Sequence, residues 1–130
     1  MSSATAGLQD AGRIVQDLEA NFVRLANTGD AVAMTDAFYA EDAQLLPPNS
    51  PIIKGIAAIR DFWSGVIAAG ASNVTLETLD VAAGGDLIYN TGLYGYNLGG
   101  DRHIGKYVVV YRRQADGGYK AVVDSFSPNA

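Results

Sequence analysis

Over the last third of the chain, Asp86 to Phe126, apolar and polar positions alternate in three consecutive stretches, DLIYNTGLYGYNL, HIGKYVVVYRRQ and YKAVVDSF, joined by short Gly-rich turns. A period of two is that of a β-strand, whose successive side chains point to opposite faces. Both phases carry large apolar groups, so the sheet has two apolar surfaces to cover. Helices and a ligand cavity are expected on one face and a second copy of the chain on the other.

Upstream the period becomes helical. Ile14, Leu18, Phe22 and Leu25 recur at three- and four-residue spacing, with Arg13, Gln16, Asp17 and Arg24 left for the wet side, which predicts a first helix running to about Asn27. Gly29 can take the left-handed conformation after a helix end, and Asp30 can cap the next helix. A short second helix then turns Met34, Phe38 and Tyr39 inward. Prolines at 47, 48 and 51 exclude helix between Leu46 and Ile53, leaving Ala43 to Leu46 and Ile52-Ile53 as short extended pieces. Ile56, Ile59, Phe62, Trp63, Val66 and Ile67 mark a third helix between Gly55 and Gly70. From Asn73, NVTLETLDV alternates loosely into an Ala-Ala-Gly-Gly turn. Helices followed by an antiparallel sheet define an α+β architecture.

Composition narrows the partners. A chain of 130 residues with 48% hydrophobic content suits one domain over 1–130, with 1–9 as a frayed leader. A formal charge of -5 without clustered Lys or Arg argues against nucleic acid and anionic membrane surfaces. No Cys means no disulfide, thiolate nucleophile or Cys metal site. The start MSSATAGLQDAGR lacks a basic region and an apolar core, and no apolar run approaches the roughly 18 residues of a membrane span, so a cytoplasmic protein is expected. His103 is the single His, without clustered carboxylates, so neither a metal nor another cofactor is expected.

The landmarks together resemble the nuclear transport factor 2-like superfamily. They are a helix, Gly29-Asp30, a second helix, Tyr39-Ala40-Glu41-Asp42-Ala43, a Pro-rich loop, and Lys54-Gly55 followed by Ala57-Ala58-Ile59-Arg60-Asp61-Phe62-Trp63. The ending, Gly105-Lys106-Tyr107-Val108-Val109-Val110, Asp116-Gly117-Gly118-Tyr119-Lys120 and Asp124-Ser125-Phe126, is similar as well. The chain is most similar to the SnoaL-like and ketosteroid-isomerase-like branch, with its many small bacterial members, from about residue 10 to residue 127. The resemblance implies a curved antiparallel sheet wrapped into a cone around a buried cavity, three N-terminal helices over its concave face, and a homodimer through the outer face. It implies no single reaction, because members include isomerases, dehydratases, cyclases, hydrolases and proteins that only bind or assemble.

Matched motif by motif, the ketosteroid isomerase base falls at Pro47, its oxyanion Tyr at Phe22 and its protonated Asp at about Val109. None of these can act in that way, so steroid isomerisation by the usual mechanism is not expected. Two supporting aromatics are retained in kind at Tyr39 and Trp63. The same matching turns Asn90, Tyr94, Tyr96, His103, Tyr107, Val109, Tyr111, Val122, Asp124 and Phe126 inward. Leu93, Ile104, Val108, Val110, Ala121 and Val123 then form an outer apolar strip suited to a second subunit.

Asp124 is a carboxylate in an otherwise apolar strand. Burial would raise its pKa and suit it to general acid or base work, with Tyr94 or Tyr107 positioning a carbonyl or hydroxyl; alternatively it accepts bonds from Trp63, a Tyr or a loop backbone and braces the fold. Ligand contact is expected from Phe22, Tyr39, Leu46, Trp63, Asn90, Tyr96, His103, Val109, Tyr111 and Phe126, with His103 at the rim. Lys106 and Arg112 are expected in solvent or at an interface, while Arg113 at the strand end is placed to meet an acidic ligand. Two functions follow: cofactor-free isomerase, dehydratase or cyclase chemistry on a compact hydrophobic or aromatic metabolite, or non-catalytic binding or assembly with the same cavity.

Overall fold

In the computed structural model of the chain, which describes residues 8–129, the helical period before Asn27 becomes α1 (Leu8–Asn27). The leader expected over 1–9 lies mostly outside the described residues. The innermost stripe of α1 is Ala11, Val15, Glu19, Phe22 and Ala26. Ile14, Leu18 and Leu25, expected at its centre, are partly buried on its flank. The helix is thus rotated from the reading of its largest side chains, and a carboxylate faces the core.

Gly29 adopts φ 81°, and Asp30 accepts a hydrogen bond from the Ala33 amide at 3.0 Å, opening α2 (Ala31–Phe38). The chain passes at Tyr39 directly into β1 (Tyr39–Leu46), longer than the sequence suggests. Then come β2 (Ile53–Lys54), α3 (Ile56–Ala68), β3 (Ser72–Gly84), β4 (Leu87–Leu98), β5 (Asp101–Arg113) and β6 (Tyr119–Pro128). The protein is α+β: three helices and one curved, unclosed six-stranded sheet in the order β2-β1-β6-β5-β4-β3. The sheet is mixed rather than wholly antiparallel, because β1 runs parallel to β6. α3 and four strands separate those two in sequence, so no hairpin dictates their relative direction.

Register shifts in β1, in β3 and between β5 and β6 bend the sheet around the helices. One of them corrects the expected phase. Val110 pairs with Val123 but Tyr111 pairs with Ala121, so Val122 is the unpaired residue of a bulge. Ala121 is therefore buried in the core, and Val122, expected inward, is only partly buried. Elsewhere the phase is as expected. Asn90, Tyr107, Val109, Tyr111 and Asp124 are buried, while Leu93, Ile104 and Val108 are exposed with Leu87 and Tyr89.

Two glycines allow this ring arrangement. Tyr107 lies across Gly92 of β4, and Tyr94 lies across Gly105 of β5, each where a Cβ would stand. The charged strand ends stay at the surface, with Arg112 bonded to Asp42 at 2.9 Å and Arg113 to Asp86 at 2.6 Å. Among the described residues, no helix is long and apolar enough to cross a membrane.

Candidate functional site

Between the concave face of the sheet and the helices lies a cavity of about 290 Å³ with almost wholly apolar walls. α1 contributes Glu19, Phe22 and Ala26, α2 contributes Met34 and Phe38, and α3 contributes Phe62, Trp63, Val66 and Ile67. The strands supply Val74, Leu76, Tyr94, Tyr96, Tyr107, Val109, Asp124 and Phe126. The rings brace each other: Trp63 stacks on Phe126 at 5.8 Å, and Phe22 and Tyr94 meet those two edge-on at 5.9 and 5.7 Å. Such edge-to-face and stacked contacts fix ring orientation as well as burying area.

Asp124 reaches this cavity because the β5 and β6 register sets it opposite Val109, on the inward phase. The Tyr39 hydroxyl donates to its Oδ2 at 2.5 Å, and the Trp63 indole N–H donates to the Tyr39 oxygen at 3.1 Å. Its other oxygen, Oδ1, has no hydrogen-bond partner among the described residues, and the side chain lines the cavity. Burial pushes the carboxyl up to about 6; the Tyr39 hydrogen bond opposes the rise and the neighbouring Glu19 adds to it. Tyr39 is itself raised well above the ordinary phenol value, first by burial and then by Asp124.

A second carboxylate faces the cavity from the helix side. Glu19 accepts from Thr78 Oγ1 at 2.5 Å, from Asn90 Nδ2 at 2.9 Å and from the Tyr107 hydroxyl. Burial raises Tyr107, and its bond to Glu19 raises it further. Tyr111 lies near both acids: its phenol is raised by burial, then by Glu19 and Asp124, and its buried hydroxyl has no hydrogen-bond partner among the described residues. No Lys, Arg or His lines the cavity among the described residues.

Of the residues expected at the site, Phe22, Trp63, Tyr94, Tyr96, Tyr107, Val109, Asp124 and Phe126 line the cavity. Tyr39, Asn90 and Tyr111 do not; they form a fully buried layer behind the wall, where Tyr39 serves Asp124 and Asn90 serves Glu19. Leu46 is half-buried at the end of β1 beside Ser125, outside the cavity lining. His103 is exposed at the rim, stacked on Tyr96 at 5.1 Å. The two isomerase positions read as Phe22 and Val109 both lie in the wall, where each presents an apolar surface.

Glu19 was missed by sequence reasoning. The available signal was its spacing of four from Val15 and three from Phe22, which puts it on the buried face if the helix is centred on Ala11, Val15 and Ala26 rather than on the larger side chains. Among the described residues, no group of His, Cys, Asp or Glu is placed to hold a metal ion.

The architecture is similar to that of several solved proteins. A ketosteroid isomerase-like protein from Erwinia carotovora atroseptica SCRI1043 shares 15% identity, with a TM-score of 0.78 over 91% of this chain and 95% of that one. An NTF2-like protein with a cystatin-like fold from Novosphingobium aromaticivorans shares 21%, with a TM-score of 0.74 over 94% and 84%. An NTF-2 like protein from Shewanella oneidensis MR-1 shares 12%, with a TM-score of 0.78 over 89% and 98%. At these identities the likeness is one of fold. No curated protein matches the chain. The family model for the SnoaL-like domain matches residues 20–122, from the middle of α1 to the β6 bulge. The chain therefore belongs to the SnoaL-like domain family and has the fold of these NTF2-like proteins.

Proposed function

We propose that the cavity binds a compact, hydrophobic or aromatic metabolite and that Asp124 exchanges a proton with it, in cofactor-free chemistry of the isomerase, dehydratase or cyclase type. The observation that carries this reading is Asp124 Oδ1, the unpartnered oxygen of a buried carboxylate in an apolar wall. A carboxyl raised to about 6 is mostly ionised at neutral pH, yet it is a stronger base than an ordinary Asp. Oδ2 is held by Tyr39, whose oxygen is held in turn by Trp63, so the carboxylate is oriented before any ligand arrives. Tyr94, whose hydroxyl has no hydrogen-bond partner among the described residues, is the group to position a ligand carbonyl or hydroxyl. Tyr107 is committed to Glu19 and acts here as its support.

A small carbon acid tests the base role. 5-Nitrobenzisoxazole loses its ring C–H proton to a base while its N–O bond breaks to give a phenolate, with no cofactor. The expected rate rises with pH through about 6 and falls roughly a hundredfold in Asp124→Asn. Equal rates in the two proteins, with the probe still bound, would leave the second reading, a non-catalytic binding protein. That reading draws support from Phe22, Pro47 and about Val109, the positions that the resemblance matches to a ketosteroid isomerase's polar groups.

We also propose a cytoplasmic homodimer. Leu87, Tyr89, Leu93, Ile104 and Val108 form the exposed strip for a second copy, with Lys106 exposed opposite Leu93. A monomeric mass by light scattering at micromolar concentration would end the dimer proposal.

A further inference from the structure

Buried carboxylates are ordinarily matched by a cation, because taking an ion out of water costs several kcal/mol that neutral surroundings only partly return. This protein has two such acids on one cavity, Asp124 at 7% exposure and Glu19 at 6%. Among the described residues, neither has a Lys, Arg or His partner. Cationic side chains do pair with acids here, but at the surface, as Arg60 with Asp36, Arg112 with Asp42 and Arg113 with Asp86.

The two acids differ in what they still need. Glu19 accepts from three neutral donors, whereas Asp124 accepts from one and leaves Oδ1 facing the cavity. The same cavity is lined by the rings of Trp63, Phe22, Phe126 and Tyr94, and aromatic faces attract positive charge. An anionic ligand would meet two carboxylates and no neutralising group. A neutral ligand would leave Asp124 without a counter-ion.

We infer that the ligand is an organic cation, a compact amine whose ammonium group sits against Asp124 Oδ1 and whose apolar body lies among Trp63, Phe22 and Phe126. This rests on the reading that the cavity is the ligand site and names the chemical class that site takes. An ammonium there holds Asp124 in its ionised form and draws its carboxyl back down from the raised value that burial gives it.

Calorimetric titration with 1-naphthylmethylamine, 1-naphthylmethanol and 1-naphthoate, which share a ring system and differ in charge, decides the matter. At pH 7.5 the amine is expected to bind about tenfold more tightly than the alcohol, with the naphthoate weakest. The groups facing Asp124 are Tyr39 from β1, Tyr111 from β5 and Glu19 from α1, with the indole of Trp63 from α3. Since the phenols of Tyr39 and Tyr111 are raised, they stay neutral from pH 5 to 7.5, so carboxylate protonation is the change that matters. The amine keeps its charge over that range, and its advantage is expected to shrink severalfold at pH 5. Asp124→Asn is expected to abolish the advantage at pH 7.5, and Glu19→Gln to reduce it less. Should Asp124→Asn not fold, the wild-type ratios at the two pH values carry the test alone.

An alcohol or naphthoate binding as tightly as the amine would overturn the cation assignment and leave the cavity as a ligand site. An amine preference that survives in Asp124→Asn would overturn the placement at Asp124. Failure of all three compounds to bind would overturn both the assignment and the ligand-site reading.

Discussion

Glu19 and Asp124 are both buried carboxylates on one cavity, yet one is built in and the other is left open. Glu19 projects from α1 onto the sheet and is met there by Thr78 of β3, Asn90 of β4 and Tyr107 of β5, so it ties the helix to three strands. Asp124 projects from β6 and, among the described residues, is met only by Tyr39. The difference teaches that burial alone does not make an acid functional. The number of donors aimed at it decides whether it holds the fold or keeps an oxygen for something else.

Removing Glu19 should have the largest effect. In Glu19→Ala the donors of Thr78, Asn90 and Tyr107 lose their acceptor in a buried setting, and stability is expected to fall on the order of 4 kcal/mol by urea denaturation. A loss below about 1 kcal/mol would show that the cluster is not structural and would break the contrast.

Asp124→Asn should act in the opposite direction and only at higher pH. Because the folded carboxyl is raised from 3.8 to about 6, the fold favours its protonated form. The stability this group contributes is complete below about pH 3.8 and is lost as pH rises through about 6. At pH 8 the variant, which carries no charge there, is expected to be more stable than wild type by about 3 kcal/mol, with the gap closing near pH 4. A gap that does not change between those pH values would remove Asp124 from the buried, chargeable class.

The smallest effects separate the two supporting tyrosines. Tyr39→Phe and Tyr107→Phe should each cost about 1 kcal/mol. Only Tyr39→Phe should move the pH profile of 5-nitrobenzisoxazole turnover to higher pH, because the Tyr39 hydrogen bond holds the Asp124 carboxyl down. A matching displacement in Tyr107→Phe would mean that the two acids act as one unit.

Much of this was legible in the residues, because alternation and helical spacing are local. Three helices, the strands after Asp86 and the inward phase of Tyr94, Tyr107, Val109 and Asp124 all follow from them. Glu19 was hidden because an amphipathic stripe read from side-chain size centres on Ile14, Leu18 and Leu25. The helix instead packs along Ala11, Val15 and Ala26, whose small side chains do not announce a buried face. The bulge at Val122 was hidden for a related reason. In YKAVVDSF each residue from Ala121 to Val123 suits either face, so alternation places no break there.

By itself the sequence determined the α+β architecture, the family pattern and the presence of a carboxylate in an apolar strand, since these depend on periods and order along the chain. Only the tertiary structure decided that β1 runs parallel to β6 and that Tyr39 lies behind the wall. It also decided that Glu19 faces the same cavity as Asp124, held by donors from three strands while Asp124 Oδ1 has none. Hydrogen bonds between residues 71 to 88 positions apart leave no periodic trace in a chain; they exist once folding has brought their elements together.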